Sequence, residues 1–307
     1  MFDIIPKRKL ALKQIFILIL ILLFISGCAT QTPTPILTHQ VHSNCTYYAL
    51  DAGECIDEKH FLSRVSPYKV IFVGDHHDSL NAHKVLLTLI EGLSEQGYRV
   101  SLANEWFTPE ENTLLENFSA GKLDKNTSKA LGWQKRAGYD YNLTQAIYDA
   151  VIKEHGKLYG INMNKKFKKL ISDQNISGMD VEQSTFYKRL DLNVTAHQQL
   201  LKPYFAHCHS HRKDESAQMC SERMYRVQVA WDSMMGEESA KLAEKLEKDE
   251  KLIVFIGAMH LEGKLGANLR FTRASNVPSV TILPYQKDGE MCIDIDHGSS
   301  DLIYLYE

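Results

Sequence analysis

Six near-continuous apolar runs, residues 69–74, 99–103, 158–161, 252–256, 280–283 and 302–305, are bounded by polar residues or glycine. Short runs of this kind are the pattern of strands buried on both faces. Between them lie stretches of helical period. Residues 79–96 carry Ala82, Leu86, Leu89, Ile90 and Leu93 on one stripe and stop at Gly97. Helices are also expected over 109–118 and 144–155, and two long ones over 181–201 and 215–248. Strands alternating with helices predict an α/β fold, a mostly parallel sheet flanked by helices. The long helices at about 177–249 read as a helical insertion, and no repeat of solenoid length is visible. The pattern leaves the strand order open.

The amino-terminal region departs from this pattern. Lys7, Arg8, Lys9 and Lys13 precede an unbroken apolar run over 15–25, too short to span a bilayer as a helix but suited to a secretory signal. Ser26-Gly27-Cys28 follows and resembles a bacterial lipobox, so residues 1–27 are expected to be removed and Cys28 to become the acylated first residue. By resemblance to sorted bacterial lipoproteins, Ala29 in place of aspartate implies the outer membrane of a bacterial envelope. Residues 28–44 hold Thr, Gln and Pro with little to bury and read as a lipidated tether, leaving 45–307 as one α/β domain. Losing the signal removes four basic groups and Asp3, which takes the formal charge from −3 to −6. Nucleic acid is therefore not an expected partner. In an exported chain the remaining cysteines suggest two short-loop disulfides, Cys45–Cys55 and Cys208–Cys220, with Cys292 as a small buried apolar residue.

The candidate chemistry sits where the strands end. Val70-Ile71-Phe72-Val73-Gly74-Asp75-His76-His77 and Leu252-Ile253-Val254-Phe255-Ile256-Gly257-Ala258-Met259-His260 repeat one device: a buried strand, a glycine, two residues, a histidine. Asn104-Glu105 and Asn162 end two further strands. Ligands of parallel sheets bind beyond the carboxyl ends of the strands, so these histidines, carboxylates and amides are expected on one rim.

Several of these motifs are similar to those of the ChaN family of haem-binding lipoproteins in the Tiki/TraB superfamily. Val73-Gly74-Asp75-His76-His77-Asp78 resembles its first Gly-x-x-His motif, with Asp75 where the family usually has glutamate. That shorter carboxylate argues against metal ligation at this position. Asn104-Glu105-Trp106-Phe107 resembles its Glu-Met-Phe. Leu131-Gly132-Trp133, Tyr141 and Gly160-Ile161-Asn162 fall at family landmarks. Gln228, Asp232 and Met235 match a Gln-x-x-x-Asp-x-x-Met helix, and residues 257–260 supply the second histidine motif. The resemblance implies ferric haem bound through a tyrosine at a homodimer interface, in a protein of haem and iron uptake served by an outer-membrane haem receptor. Tyr141 is the expected ligand and Tyr139 the second choice, with His77, His260 and Met235 as further contacts. Gly74, Asp75, Glu105, Asn162, Gly257, Gln228 and Asp232 would shape the pocket.

Two other readings use the same residues. His77, His260 and Glu105 could hold a divalent metal for hydrolysis, or the histidines could only knit the rim together. A serine mechanism lacks its Gly-x-Ser-x-Gly elbow, and a dinucleotide site lacks its Gly-x-Gly-x-x-Gly. His207, His209 and His211, beside Cys208, are a secondary haem or metal contact or a solvated loop. Val227, Trp231, Met234 and Met235 form an apolar stripe that reads as core before it reads as a porphyrin wall.

Overall fold

In the computed structural model, the described residues are 38–42, 44–123, 128–137, 139–208, 212–287, 289, 292–296 and 298–307. Strands β1 (Thr38–His42), β2 (Tyr47–Ala49) and β3 (Glu54–Ile56) lead into helix α1 (Glu58–Val65). Next come β4 (Val70–Asp75), α2 (Leu80–Glu95), β5 (Arg99–Asn104), α3 (Asn112–Ser119), α4 (Asn142–Lys153) and β6 (Leu158–Gly160). Helices α5 (Lys165–Ser172), α6 (Val181–Lys188), α7 (Thr195–Phe205) and α8 (Ala217–Ala243) then follow one another. The last elements are β7 (Glu250–Gly257), α9 (Ala267–Ala274), β8 (Ser279–Gln286), β9 (Cys292–Asp296) and β10 (Leu302–Tyr306).

Eight strands form one sheet in the order β3-β2-β10-β8-β4-β7-β5-β6. It is parallel from β10 to β6, with β2 and β3 added antiparallel at one edge. Every residue of β4 is buried, because alternate side chains enter different layers. Ile71 and Val73 pack with α2 residues Leu86, Leu89 and Leu93, while Val70 and Phe72 pack with Met235 of α8 and Phe271 of α9. Each such side chain, taken fully out of water, contributes roughly 1.5–3 kcal/mol. Ser79 caps α2 by accepting the Ala82 N–H at 3.1 Å, and Gly97, with φ +88°, ends it in the left-handed conformation that glycine adopts without strain.

The α/β architecture and the helical insertion are as predicted, with differences of detail. The stretch 181–201 is broken between α6 and α7, because Asp191 accepts the Asn193 N–H at 3.0 Å and turns the chain. Helix α5 was not anticipated: it offers only Phe167 and Ile171 as buried anchors among four lysines. Residues 38–42, placed in the tether by the sequence, form β1 and pair antiparallel with β9. Cys45–Cys55 and Cys208–Cys220 are disulfides with Cα separations of 5.7 and 5.8 Å. Cys292 is half-buried at the start of β9 rather than buried, since it sits on a two-stranded ribbon. The signal segment, Cys28, the tether before Thr38, His209 and His211 lie outside the described residues. Among the described residues no helix is long and apolar enough to cross a membrane.

Candidate functional site

Strands β4 and β7 are parallel neighbours with Asp75 opposite Gly257, so both Gly-x-x-His motifs leave the sheet side by side at its carboxyl edge. His77 donates from Nδ1 to Asp75 Oδ2 at 2.5 Å, which turns its Nε2 towards Glu105 Oε1 at 3.4 Å. His260 donates from Nδ1 to Asp232 Oδ1 at 2.6 Å, and its Nε2 lies 3.6 Å from Glu105 Oε2. A carboxylate accepts only, so each aspartate fixes the proton on Nδ1. Two imidazoles from distant parts of the chain therefore aim the same nitrogen at one carboxyl group.

Glu105 is itself held. Its Oε1 accepts the Gly257 N–H at 2.9 Å, and Asn162 Nδ2 donates to its backbone oxygen at 2.8 Å. Burial pushes the Glu105 carboxyl above its usual range, against the pull of His260 and His77. Burial also opposes charge on His77, yet its hydrogen bond to Asp75 and the nearness of Glu105 leave it more basic than usual. Asp232 and Glu105 do the same for His260.

Behind each aspartate stands a second histidine that the sequence reading missed. Buried His83 of α2 places Nε2 2.7 Å from Asp75 Oδ1 and Nδ1 2.9 Å from the Leu143 carbonyl oxygen. Both partners are acceptors, so both nitrogens carry hydrogen and His83 is an imidazolium. Burial opposes that charge, but the Asp75 hydrogen bond prevails and its pKa is raised. Burial likewise works against the Asp75 carboxylate, and the hydrogen bonds from His77 and His83 overcome it and hold its pKa below normal. On the other side, His197 of α7 is fully buried with Nε2 3.4 Å from Asp232 Oδ2, neither atom making a hydrogen bond among the described residues. Burial pushes the pKa of His197 down to about 4, so it is neutral. Both second histidines lie on helix faces that pack inward, where the sequence reads as core.

The three site side chains floor a cavity of about 870 Å³ walled by Trp106, Tyr139, Met163 and Trp231. The Tyr139 ring stacks on His77 with centroids 5.4 Å apart and planes within 9°, and Trp231 meets His260 edge-on at 6.0 Å. The Tyr139 hydroxyl is buried without a partner among the described residues, and burial raises its pKa far above normal. Tyr141 lies elsewhere: it packs against Trp133 and Tyr148 and lines a smaller cleft of about 390 Å³ shared with Tyr139. Its hydroxyl is also buried, with its pKa pushed up to about 12. Met235 is fully buried in the core and does not line the cavity. It shares the inward face of α8 with Gln228 and Asp232 but lies a turn further along, over the body of the sheet. Gln228 Nε2 is 2.8 Å from His260 Nδ1 and 3.3 Å from Asp232 Oδ1. Gly74 is packed beneath the rim against Leu283 and Pro284.

Asp75, His77 and Glu105 present donor atoms within 4.8 Å of one another, the spacing of a cation site. Both Asp75 oxygens already accept from histidines, so the donors left facing the cavity are His77 Nε2, His260 Nε2 and the Glu105 carboxyl. Carboxylates that orient histidines in this way are the usual second layer behind ligands to iron or zinc.

Comparison with known proteins adds a family to this geometry. The model of the family described as haem-binding uptake, Tiki superfamily, ChaN, matches residues 61–271. The solved structure of cofacial haem binding to ChaN of Campylobacter jejuni is similar over 85% of this chain and 96% of its own, with a TM-score of 0.66 at 18% identity. The type III effector HopBA1 is similar over 81% of this chain and 93% of its own, with a TM-score of 0.45 and 15% identity. A Bacillus cereus protein is similar over 88% and 94%, with a TM-score of 0.45 and 11% identity. At these identities the Campylobacter likeness is one of fold. No curated protein matches the chain.

Proposed function

Because the chain belongs to the ChaN family of haem-binding uptake proteins in the Tiki superfamily, we propose that it binds ferric haem in the cavity above His77, Glu105 and His260. The observation that carries this reading is the pair of aspartate-backed imidazoles at the base of a large aromatic-walled hollow. A porphyrin is a broad apolar plate, and Trp106, Tyr139 and Trp231 offer ring faces and edges of matching character. Bound ferric haem would supply a Lewis-acidic iron, for which phenolate and imidazole are both suitable donors. Tyr139 is favoured over Tyr141 as that donor, since it lines the cavity and stacks on His77. Its high pKa means that iron binding must drive the loss of the phenolic proton. We further propose a homodimer, anchored through acylated Cys28 to the outer membrane and supplied by a haem receptor there.

Titration with haemin, followed by absorbance and light scattering, tests the proposal. Saturable uptake with a tyrosinate-type high-spin spectrum is expected, lost in Tyr139→Phe and kept in Tyr141→Phe, with scattering reporting two chains per particle. Uptake that never saturates would remove the haem reading. A tightly bound divalent metal, with ester or peptide hydrolysis that disappears in His260→Ala, would replace it with the hydrolase.

A further inference from the structure

We infer that a second hollow, lined by helices α5, α6 and α8, docks an extended segment of a partner protein in which arginines alternate with apolar side chains. The hollow measures about 730 Å³. Its floor is apolar, with Met163, Phe167 and Phe186 buried and Met234 beside them. Its rim carries five carboxylates against two cations, a net charge of −3. Both cations are already committed: Arg189 pairs with Glu237, and Lys241 pairs with Glu238 at 2.6 Å. Asp180 caps α6 by accepting the Gln183 N–H at 2.8 Å. Glu110 and Glu182 remain, and among the described residues neither faces a cation within ion-pair distance. Burial also holds the Glu237 carboxyl above its usual range against the pull of Arg189 and Lys241, so a further cation beside it is favoured.

The hollow itself displays how a guanidinium fits. Arg189 lies 5.3 Å from the centre of the Phe186 ring while it bonds Glu237, which combines an aromatic face with a carboxylate. An incoming arginine meets the same two features, rings below and uncompensated carboxylates above. In an extended segment alternate side chains point to opposite faces, so apolar residues reach the floor while the arginines between them stay at the rim. Apolar surface also continues beyond the rim, further than a small cation would need. Val181, between the rim residues Asp180 and Glu182, is 84% exposed, and Ile176 shortly before α6 is 44% exposed. Finally, the hollow shares Glu110, Asn162, Met163 and Asn164 with the cavity above His77 and His260. A segment docked there lies next to the proposed porphyrin site, where a partner that delivers or removes the ligand has to reach. The inference goes beyond the haem reading and stands without it.

The test follows the fluorescence anisotropy of a labelled peptide, Arg-Leu-Arg-Phe-Arg-Leu-Arg, on the whole protein without haem. Two further peptides replace every arginine by glutamate, or every apolar residue by glycine. The first peptide should bind saturably at one per chain and weaken as salt rises, the glutamate version should not bind, and the glycine version should bind at least about tenfold more weakly. In the double variant Glu182→Gln, Glu238→Gln the first peptide should lose roughly tenfold in affinity, because exposed pairs contribute less than about fivefold each. A control variant, Glu91→Gln, Glu95→Gln, on the exposed side of α2, should match wild type. Binding that never saturates, or a glycine version that binds as well as the first peptide, overturns the inference on wild-type protein alone. So does equal affinity in the double variant and wild type with unchanged thermal unfolding, or arginine amide binding as tightly as the peptide. Failure of wild type to take up haemin would sink the haem reading and leave these peptide outcomes untouched.

Discussion

His77 draws its support from its own stretch of chain, whereas His260 draws its support from helices inserted elsewhere. Asp75 and His83 stand two residues before and six after His77, on the end of β4 and the start of α2. Asp232, Gln228 and His197 come from α8 and α7, and reach His260 only once the insertion has docked against the sheet. The charge also differs. Asp75 has donors on both oxygens and an imidazolium behind it, while Asp232 uses one oxygen, and its rear histidine is neutral. Even the two glycines do different jobs, because the register sets Gly74 opposite Ile256 and Asp75 opposite Gly257. That one-residue offset turns the glycines to opposite faces of the sheet. A β-carbon on Gly74 would meet Leu283 and Pro284 at 2.9 Å, but one on Gly257 would find Glu105, His260 and His77 at an ordinary 3.5 Å. Equivalent motifs can therefore deliver equivalent nitrogens through unlike energetics.

The contrast can be broken most directly at the aspartates. Asp75→Asn must turn an amide hydrogen towards one of two donors and leave a buried imidazolium short of its counter-charge, at a cost of about 3–5 kcal/mol in denaturant unfolding. Asp232→Asn can keep its oxygen on His260 and direct its amide to the oxygen position that makes no hydrogen bond, at a cost of about 1 kcal/mol. Equal losses in the two variants would erase the distinction.

The rear histidines should respond to pH with opposite signs. The folded pKa of His197 lies below its unfolded value, so its contribution is present above about pH 6.5 and is lost as pH falls towards about 4, an effect of about 3 kcal/mol. The folded pKa of His83 is raised, so its contribution is present below about pH 6.5 and is lost as pH climbs through the folded value. Stability measured across pH should flatten on the acid side in His197→Asn and on the neutral-to-alkaline side in His83→Asn. Profiles that move the same way would refute the assignment of one charged and one neutral ring. The glycines also divide: Gly74→Ala should cost about 1–3 kcal/mol by overpacking, and Gly257→Ala, the smallest effect, about 0.5 kcal/mol or less. The latter variant should still lose haem affinity, because its methyl group enters the space between the three site side chains.

Much of the frame was legible in the chain because β4, β5, β7, β8 and β10 are apolar runs that need no partner to be recognised. Strands β2 and β3 span three residues each, and β3 is mostly exposed, so their pairing declares itself only in three dimensions. The meeting of His77, His260 and Glu105 followed from strand ends alone. His83 and His197 did not, since a histidine on an inward helix face carries the same pattern as a packing residue. The side-chain directions of Tyr139, Tyr141 and Met235 also depend on tertiary packing. Sequence spacing locates the loop or the helix face, and only the fold decides which ring or thioether meets the hollow.

The Cys208–Cys220 bond joins the segment after α7 to the first turn of α8, the two helices that bring His197 and Asp232 behind His260. Closing so short a loop withdraws about 3 kcal/mol of freedom from the unfolded chain. A thiol reductant therefore acts on this half alone among the two histidine supports: it slackens the clamp behind His260 and leaves His77, braced by its own strand, in place.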